Sequence, residues 1–292
     1  MYELIQITEH NYYVDCPTKV GIYESAPGQV WLIDAGSDKD AGRKIWKHIE
    51  QNGWTVQGIL ATHSNADHIG GAQLLMQRSG CRIYAQSKEK CFIEHTVFEP
   101  SLLYGAYPPN VLRNKFLVAP SVPCADLGEA PLPEGLEIFD LPGHFLEMFG
   151  VRTPEGVFYC ADAVFSAQVV EKYHVNFVYD VRQALDCLKG LPLVEAKWYL
   201  PAHAELTEDI APLARLNRDK MLEIIDLLTA LCAEPQCFED ILKGLFDRYS
   251  LELNFAQYVL VGSSVRSYLA YLLDMGRMET LFVGNKMLWH SL

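Results

Sequence analysis

The sequence predicts a layered α/β or α+β domain over residues 1–210, followed by a helical domain over residues 211–292. Before residue 210, short β-rich runs alternate with stretches of helical period. After residue 210 the pattern becomes helical, with apolar residues three and four positions apart. With 292 residues, half of them hydrophobic, the chain is long enough to form two domains with buried cores.

The first domain has its elements in alternating order. The β-rich runs predict strands over residues 19–24, 29–34, 59–62, 82–85, 136–141, 156–160 and 197–201. Helices are predicted between them, over residues 39–51, 68–78 and 180–188.

The second domain begins with helices and ends in a hairpin. Apolar residues from Phe238 to Tyr249 fall on one helix face, and Val265, Leu269, Leu272 and Leu273 repeat the spacing. Two apolar-rich runs then flank Gly284-Asn285, a hairpin turn signal. Helices followed by a hairpin are the order of a winged-helix module.

The amino-acid composition indicates the expected cellular compartment and limits the classes of partner that the chain can bind. A formal charge of −13 opposes binding to nucleic acid or to an anionic membrane, because both rely on lysine and arginine. The eight cysteines form no C-x-x-C pair, which favours free thiols over a disulfide framework. No apolar run approaches the roughly 18 residues of a membrane span, and the N-terminus does not resemble a signal peptide. We expect a cytoplasmic chain with no membrane partner.

Residues 62–71, T-H-S-N-A-D-H-I-G-G, are the strongest chemical signal. They place His63, Asp67 and His68 within six residues, directly after an apolar β-like run. Imidazole and carboxylate are ligands of zinc-like divalent metals, and a strand-to-helix turn lets several reach one ion. Further candidates follow later predicted strands: His144, Asp162 and His203.

In this order along the chain, together with Asp34 in L-I-D-A-G, these motifs resemble those of the metallo-β-lactamase superfamily, and within it the glyoxalase II-like hydrolases. The resemblance covers roughly residues 1–210. It implies an αββα sandwich with a metal site at one edge of the two sheets. Asp34 is expected near the site, orienting a ligand or capping a turn, rather than on the metal.

The resemblance also implies two metal sites that share a bridging carboxylate. The first would be held by His63, position 65 and His144, and the second by Asp67, His68 and His203, with Asp162 bridging. Asn65 stands where a related motif has histidine, and its amide oxygen is a weaker zinc ligand than imidazole. We therefore expect metal in the second site and weak or absent binding in the first. Asn65 could be a weak ligand, a hydrogen-bond partner of a ligand, or a mark of lost activity.

The implied activity is hydrolysis of an ester-like bond by metal-bound hydroxide, with thioesters or small acyl esters favoured as small-molecule substrates. Asp67 would be a ligand and would also orient the nucleophile. Zinc is the expected cofactor, as one or two ions; iron or manganese are alternatives, and a single iron could support oxidative chemistry. Two other functions stay open: a phosphodiesterase acting on RNA, disfavoured by the acidic charge, and a non-catalytic protein that binds metal or a small ligand.

Two regions lie outside this site. Residues 96–125 are rich in aromatic residues and proline, and they could form a lid over the substrate, a packed connection or an oligomer contact. Around the presumed recognition helix, only Arg266 and Arg277 are basic, against Asp274. This favours a C-terminal domain that buttresses the first domain or builds a homodimer over one that reads nucleic acid.

Overall fold

The computed structural model describes residues 2–292. Two sheets and a C-terminal hairpin contain all the strands of this part of the chain. The strands are β1 (Glu3–Gln6), β2 (Asn11–Asp15), β3 (Val20–Ala26), β4 (Gln29–Ile33), β5 (Thr55–Leu60), β6 (Arg82–Ala85), β7 (Cys124–Asp126), β8 (Glu137–Asp140), β9 (Phe149–Arg152), β10 (Val157–Tyr159), β11 (Trp198–Leu200), β12 (Met278–Val283) and β13 (Lys286–Ser291).

The helices lie between these strands and after them. They are α1 (Lys39–Gln51), α2 (Ala66–Ile69), α3 (Ala72–Ser79), α4 (Ser87–Glu94), α5 (Phe98–Tyr104), α6 (Ala167–Tyr173), α7 (Val181–Gly190), α8 (Ala211–Leu231), α9 (Phe238–Tyr249) and α10 (Phe255–Asp274). Among residues 2–292, no helix is both long and apolar enough to cross a bilayer.

The two sheets pack face to face. The first contains β1 to β7 in chain order, antiparallel as far as β4 and parallel from β4 to β7. The second has the order β11-β10-β9-β8, with β10 and β11 parallel. Because side chains alternate along a strand, Trp31 and Leu60 of the first sheet point inward and pack with Phe149 and Tyr159 of the second.

Helices cover both outer faces. On the first sheet, Leu32 and Ile59 pack against Ile45 of α1 and Leu75 of α3. On the second, Phe158 and Tyr199 pack in one cluster with Leu188 of α7 and Ala214 of α8. The order of layers is helix, sheet, sheet, helix, which confirms the predicted αββα sandwich.

The predicted elements of the first domain are present, with shifted ends, but one predicted helix is interrupted. The sequence predicts a single helix over residues 68–78, but the chain forms α2 and α3 around Gly70-Gly71. An added Cβ on Gly71 would lie 2.2 Å from the carbonyl oxygen of Ala35, so this turn packs directly on the loop after β4. Several short elements had no sequence signal strong enough to predict them: β1, β2, β7, β9, α4, α5 and α6.

The C-terminal region has the predicted order of helices and a hairpin. Gly284 and Asn285 both have positive φ, at 55° and 61°, as the turn between β12 and β13 requires. The sequence predicts Leu273 on the buried face of α10, but the residue is 39% exposed, since it lies about 100° around the helix from buried Leu272. The winged-helix assignment stays a prediction.

The hydrophobic core continues across residue 210. Val181 and Leu185 of α7 belong to the same buried cluster as Ile224 of α8, Leu245 of α9 and Val265 of α10. The C-terminal helices are therefore packed onto the sandwich through a shared core, and the proposed boundary at residue 210 stays a prediction.

Residues 96–125 form a packed segment. Buried Leu103 of α5, Leu112 and Leu117 cluster with Val259 of α10. The ring of Tyr104 also contacts Phe255, with centroids 6.1 Å apart. Residues 96–125, called the insertion from here on, therefore pack against α10, the last long helix.

Candidate metal centre

The candidate ligands come together at one edge of the sandwich, just past the ends of four strands. His63 follows β5, His144 follows β8, Asp162 follows β10 and His203 follows β11. Asp67 and His68 lie on α2, the short helix that begins after Asn65.

The donor atoms form two adjacent groups. In one, the ligand atoms of His63, His144 and Asp162 lie within 4.8 Å of one another. In the other, the same limit holds for Asp67, His68 and His203. Asp162 joins them: its Oδ1 lies 3.1 Å from His68 Nε2, and its Oδ2 lies 3.3 Å from His203 Nε2.

Neighbouring groups fix the orientation of the imidazoles. Asp34 Oδ2 lies 2.7 Å from His68 Nδ1, which leaves Nε2 facing the centre. The carbonyl oxygen of Pro17 lies 3.0 Å from His203 Nδ1 in the same way. A hydrogen bond to the outer ring nitrogen sets the tautomer and aim of a metal-binding histidine.

The backbone around the centre is tightly constrained. Asp34 has a φ of 67° and Ala161, next to Asp162, a φ of 47°, in the left-handed region that side chains rarely adopt. Thr62 stabilises the first of these turns, because its backbone N–H donates to Asp34 Oδ1 at 2.8 Å. Gly143, before His144, has a φ of 115°, and an added Cβ would lie 2.2 Å from the nitrogen of Ala184.

Asn65 contacts a buried residue of the insertion. Its Nδ2 donates to Glu99 Oε1 at 2.9 Å, and the N–H of Ala66 donates to Glu99 Oε2 at 3.2 Å. The amide nitrogen thus faces the buried carboxyl group of Glu99, whose pKa is raised well above its ordinary value by burial. The amide oxygen then faces the centre, 3.2 Å from His144 Nε2.

The four histidines of the centre fall into two pairs, one with lowered and one with raised pKa values. Burial disfavours the charged imidazole, and it holds the pKa values of His63 and His144 below their ordinary value. Burial acts on His203 too, but the Asp162 and Asp67 carboxylates outweigh it and raise the pKa of His203 to about 10. For His68, the carboxylates of Asp162 and Asp34 overcome burial and raise the pKa well above the ordinary value.

The donor set fits divalent metal ions. His63 Nε2, His68 Nε2 and Asp162 Oδ1 are buried and make no well-formed hydrogen bond within residues 2–292, although the last two lie 3.1 Å apart. Buried polar atoms normally have one, so atoms without a partner that converge at a cluster of imidazoles and carboxylates are explained by a cation among them. Asn65 adds an oxygen at the edge of the group formed by His63, His144 and Asp162.

Three residues of this region were not identified from the sequence. Thr18 Oγ1 donates to Asp67 Oδ2 at 2.8 Å, and Glu99 contacts Asn65 as described. Glu89, fully buried, accepts from the N–H and hydroxyl of Ser64 at 2.9 and 2.6 Å, fixing the motif loop onto α4. Glu99 stands among apolar residues in V-F-E-P-S-L-L, which is a usable signal; nothing local distinguishes Thr18, or Glu89 in the polar run S-K-E-K.

The remaining histidines lie outside both groups. His10 forms a separate cluster with Glu9 and Glu155 that is partly exposed. His48, His95, His174 and His290 belong to none of the candidate metal clusters found among the described residues.

Comparison with known protein families and sequences identifies relatives of this chain. The model of the metallo-beta-lactamase superfamily matches residues 13–203. The chain is similar to a hydroxyacylglutathione hydrolase of Hahella chejuensis, 27% identical over 172 residues, which are 58% of this chain and 55% of that protein. A second, from Bradyrhizobium sp., is 40% identical over 72 residues, 25% of this chain and 27% of that protein. The chain thus spans about half the length or less of these curated relatives.

Solved structures share the fold along almost the whole chain. A beta-lactamase domain protein from Burkholderia ambifaria has a TM-score of 0.76 at 18% identity, over 99% of this chain and 94% of that chain. A metallo-beta-lactamase family protein from Thermus thermophilus has a TM-score of 0.70 at 19% identity, over 99% and 97%. Since the family model also matches more than half of the sequence, the chain belongs to the metallo-beta-lactamase superfamily.

Proposed function

We propose that this protein is a metal-dependent hydrolase that cleaves ester-like bonds, with thioesters as the favoured substrates. The observation that carries the proposal is the convergence of ligand atoms from four histidines and two aspartates at one edge of the sandwich; three of these atoms, in His63, His68 and Asp162, are buried without a well-formed hydrogen bond. The curated relatives described above are named for hydrolysis of hydroxyacylglutathione, an S-acyl compound, which supports a thioester.

The residues divide into two sets of ligands. Asp67, His68 and His203 would form the second position for an ion, and His63, His144 and the amide oxygen of Asn65 would form the first, with Asp162 between the two. When bound, a divalent ion lowers the pKa of water to about 7 and polarises a carbonyl oxygen. Zinc is the favoured metal for this set of donors, and the first position should bind it more weakly, because it has an amide in place of an imidazole.

The chain's own groups hold this centre in place during the reaction. Asp34 and the Pro17 carbonyl keep the Nε2 atoms of His68 and His203 aimed inward, and Thr18 fixes one oxygen of Asp67. In thioester hydrolysis the oxygen of water bonds to the acyl carbon, the C–S bond breaks, and the products are a carboxylate, a thiol and a proton. Asp67 would orient the attacking water.

The test measures both the metal content and the hydrolytic activity of the protein. Protein purified without added metal or chelator is analysed for metal per chain and assayed on thioester, lactone, phosphodiester and β-lactam substrates. We expect about one equivalent of metal and hydrolysis of a thioester. His203→Gln should abolish that hydrolysis and lower the metal content, while the matched control His290→Gln, on β13, should change neither.

Other outcomes identify the alternatives. A folded protein that holds metal but hydrolyses none of these substrates would indicate the non-catalytic binding function. Hydrolysis of the phosphodiester alone would favour a nuclease, in spite of the net charge of −13. Equal activity of His203→Gln and the unmodified protein would contradict the assigned ligands.

A further inference from the structure

A cavity of about 890 Å³ adjoins the candidate metal centre. Asp67, His144, Asp162 and His203 all line it, so a molecule bound there would contact the groups assigned to catalysis. Its volume lies within the range of roughly 300–1,000 Å³ that is typical of small-molecule sites.

Three separate segments supply apolar walls. The insertion contributes Leu103 and Phe116, α6 and the residues after it contribute Val169 and Phe177, and α10 contributes Leu260. The sandwich itself forms only one side, so the cavity exists because the insertion and the C-terminal helices lie next to each other over the centre.

The carboxylates that line this cavity already have partners. Asp38 forms an ion pair with Lys115 at 3.0 Å, and Glu99 accepts from Asn65. Asp67 and Asp162 belong to the metal centre.

Lys172 is the other cation of the lining. Lys172 has no carboxylate within ion-pair distance in the described part of the chain, and its ammonium lies 4.7 Å from the centroid of the Tyr173 ring. Uncharged polar side chains such as Gln168, Asn176 and Gln257 also line the cavity, but most of its surface is apolar, so apart from the metal centre the lining suits an apolar group.

We propose that this cavity binds an apolar acyl chain of medium length, so that the substrate is an acyl thioester whose acyl group is aliphatic rather than small and hydroxylated. The inference rests on the proposed function for the position of the thioester bond. The apolar walls provide binding free energy in proportion to the chain length that they remove from water.

Binding of octanoate and butyrate to the protein as purified, measured by calorimetry, tests the acyl-chain site. Both carry the same carboxylate, so any difference comes from four methylene groups. Each fully buried methylene improves affinity about three- to fourfold, and we expect octanoate to bind at least about tenfold more tightly than butyrate. Leu260→Asn and Phe116→Ser should reduce this ratio; Phe116 is 74% exposed, so its replacement is compatible with folding.

Leu193→Asn is the matched control, because Leu193 is 81% exposed and lies outside the cavity. It should leave the ratio unchanged. Equal affinities for octanoate and butyrate, or a ratio that survives both cavity variants, would overturn the inference.

Hydrolysis of S-acetyl, S-butyryl and S-octanoyl thioesters of 2-mercaptoethanol separates this inference from the proposed function. Hydrolysis with the lowest KM for the octanoyl ester supports both. Hydrolysis at the same KM for all three keeps the function and overturns the acyl-chain site. Tight octanoate binding with no hydrolysis overturns the function and supports the apolar site.

Discussion

Asn65 and Glu99 form a hydrogen bond of 2.9 Å that links the metal-binding motif to the insertion. Glu99 is 6% exposed and also accepts from the N–H of Ala66, so its carboxylate fixes both the side chain of Asn65 and the start of α2. The amide oxygen is thereby directed toward His144. A residue that departs from the family motif is thus held in a definite orientation by a partner 34 positions away in the chain.

Replacing Asn65 by histidine should strengthen the first metal position. The imidazole can donate to Glu99 from one nitrogen and present the other to the metal, the arrangement in which a carboxylate orients a metal-binding histidine. We expect the metal content to rise from about one to about two equivalents per chain, measured by elemental analysis. The surface control Asn52→His should leave it at one, and an unchanged content in Asn65→His would contradict the assignment of the first position.

Metal binding at neutral pH should release protons. The pKa of His203, raised to about 10 by Asp162 and Asp67 against the effect of burial, makes this imidazole protonated at pH 7 in the metal-free protein. A metal ligand must be neutral, so the proton leaves when the ion binds. Calorimetry of Zn²⁺ binding in buffers of different ionisation enthalpy should show release near pH 7, and a smaller release as the pH rises toward 10. A heat that is independent of the buffer at pH 7 would exclude a protonated His203.

Thr18→Val should lower activity without removing metal. The substitution deletes the 2.8 Å hydrogen bond to Asp67 and keeps the shape of the side chain. Hydrogen bonds to charged groups contribute about 1.5–3 kcal/mol, which corresponds to a loss of roughly 13- to 160-fold in kcat/KM if the bond acts mainly in the transition state. Thr229→Val, whose hydroxyl contacts only the backbone of its own helix and Arg277, is the control for folding. Full activity in Thr18→Val would show that Asp67 needs no such partner.

Gly143→Ala should destabilise the protein. The residue has a φ of 115°, and its Cβ would lie 2.2 Å from the nitrogen of Ala184, so either the loop or α7 must move. Strain and overpacking of this kind cost about 2–4 kcal/mol in the free energy of unfolding. Gly190→Ala, where an added Cβ meets nothing within 4 Å, should be neutral or slightly stabilising. Denaturant unfolding of the two variants measures the difference; equal midpoints would refute the argument.

Much of this protein follows from its sequence, because the deciding signals are local. The spacing of His63, Asp67 and His68, and the placement of His144 after a strand, indicate the donor set and the family. Period-two and helical patterns predict the sandwich, and Gly284-Asn285 predicts the hairpin turn. Each signal depends on residues a few positions apart, where backbone geometry alone determines which side chains can share a face or a turn.

Only the tertiary structure decided how distant segments meet. Thr18 donates a hydrogen bond to Asp67, and Asn65 donates one to Glu99. Phe116 lines the same cavity as Leu260 because the insertion and α10 pack over the edge of the sandwich. The core that joins α7 to α8 and α10 likewise crosses the division at residue 210 that the sequence pattern suggested. Such contacts depend on the packing of whole elements, and no short-range periodicity specifies which surfaces of two distant elements will come together.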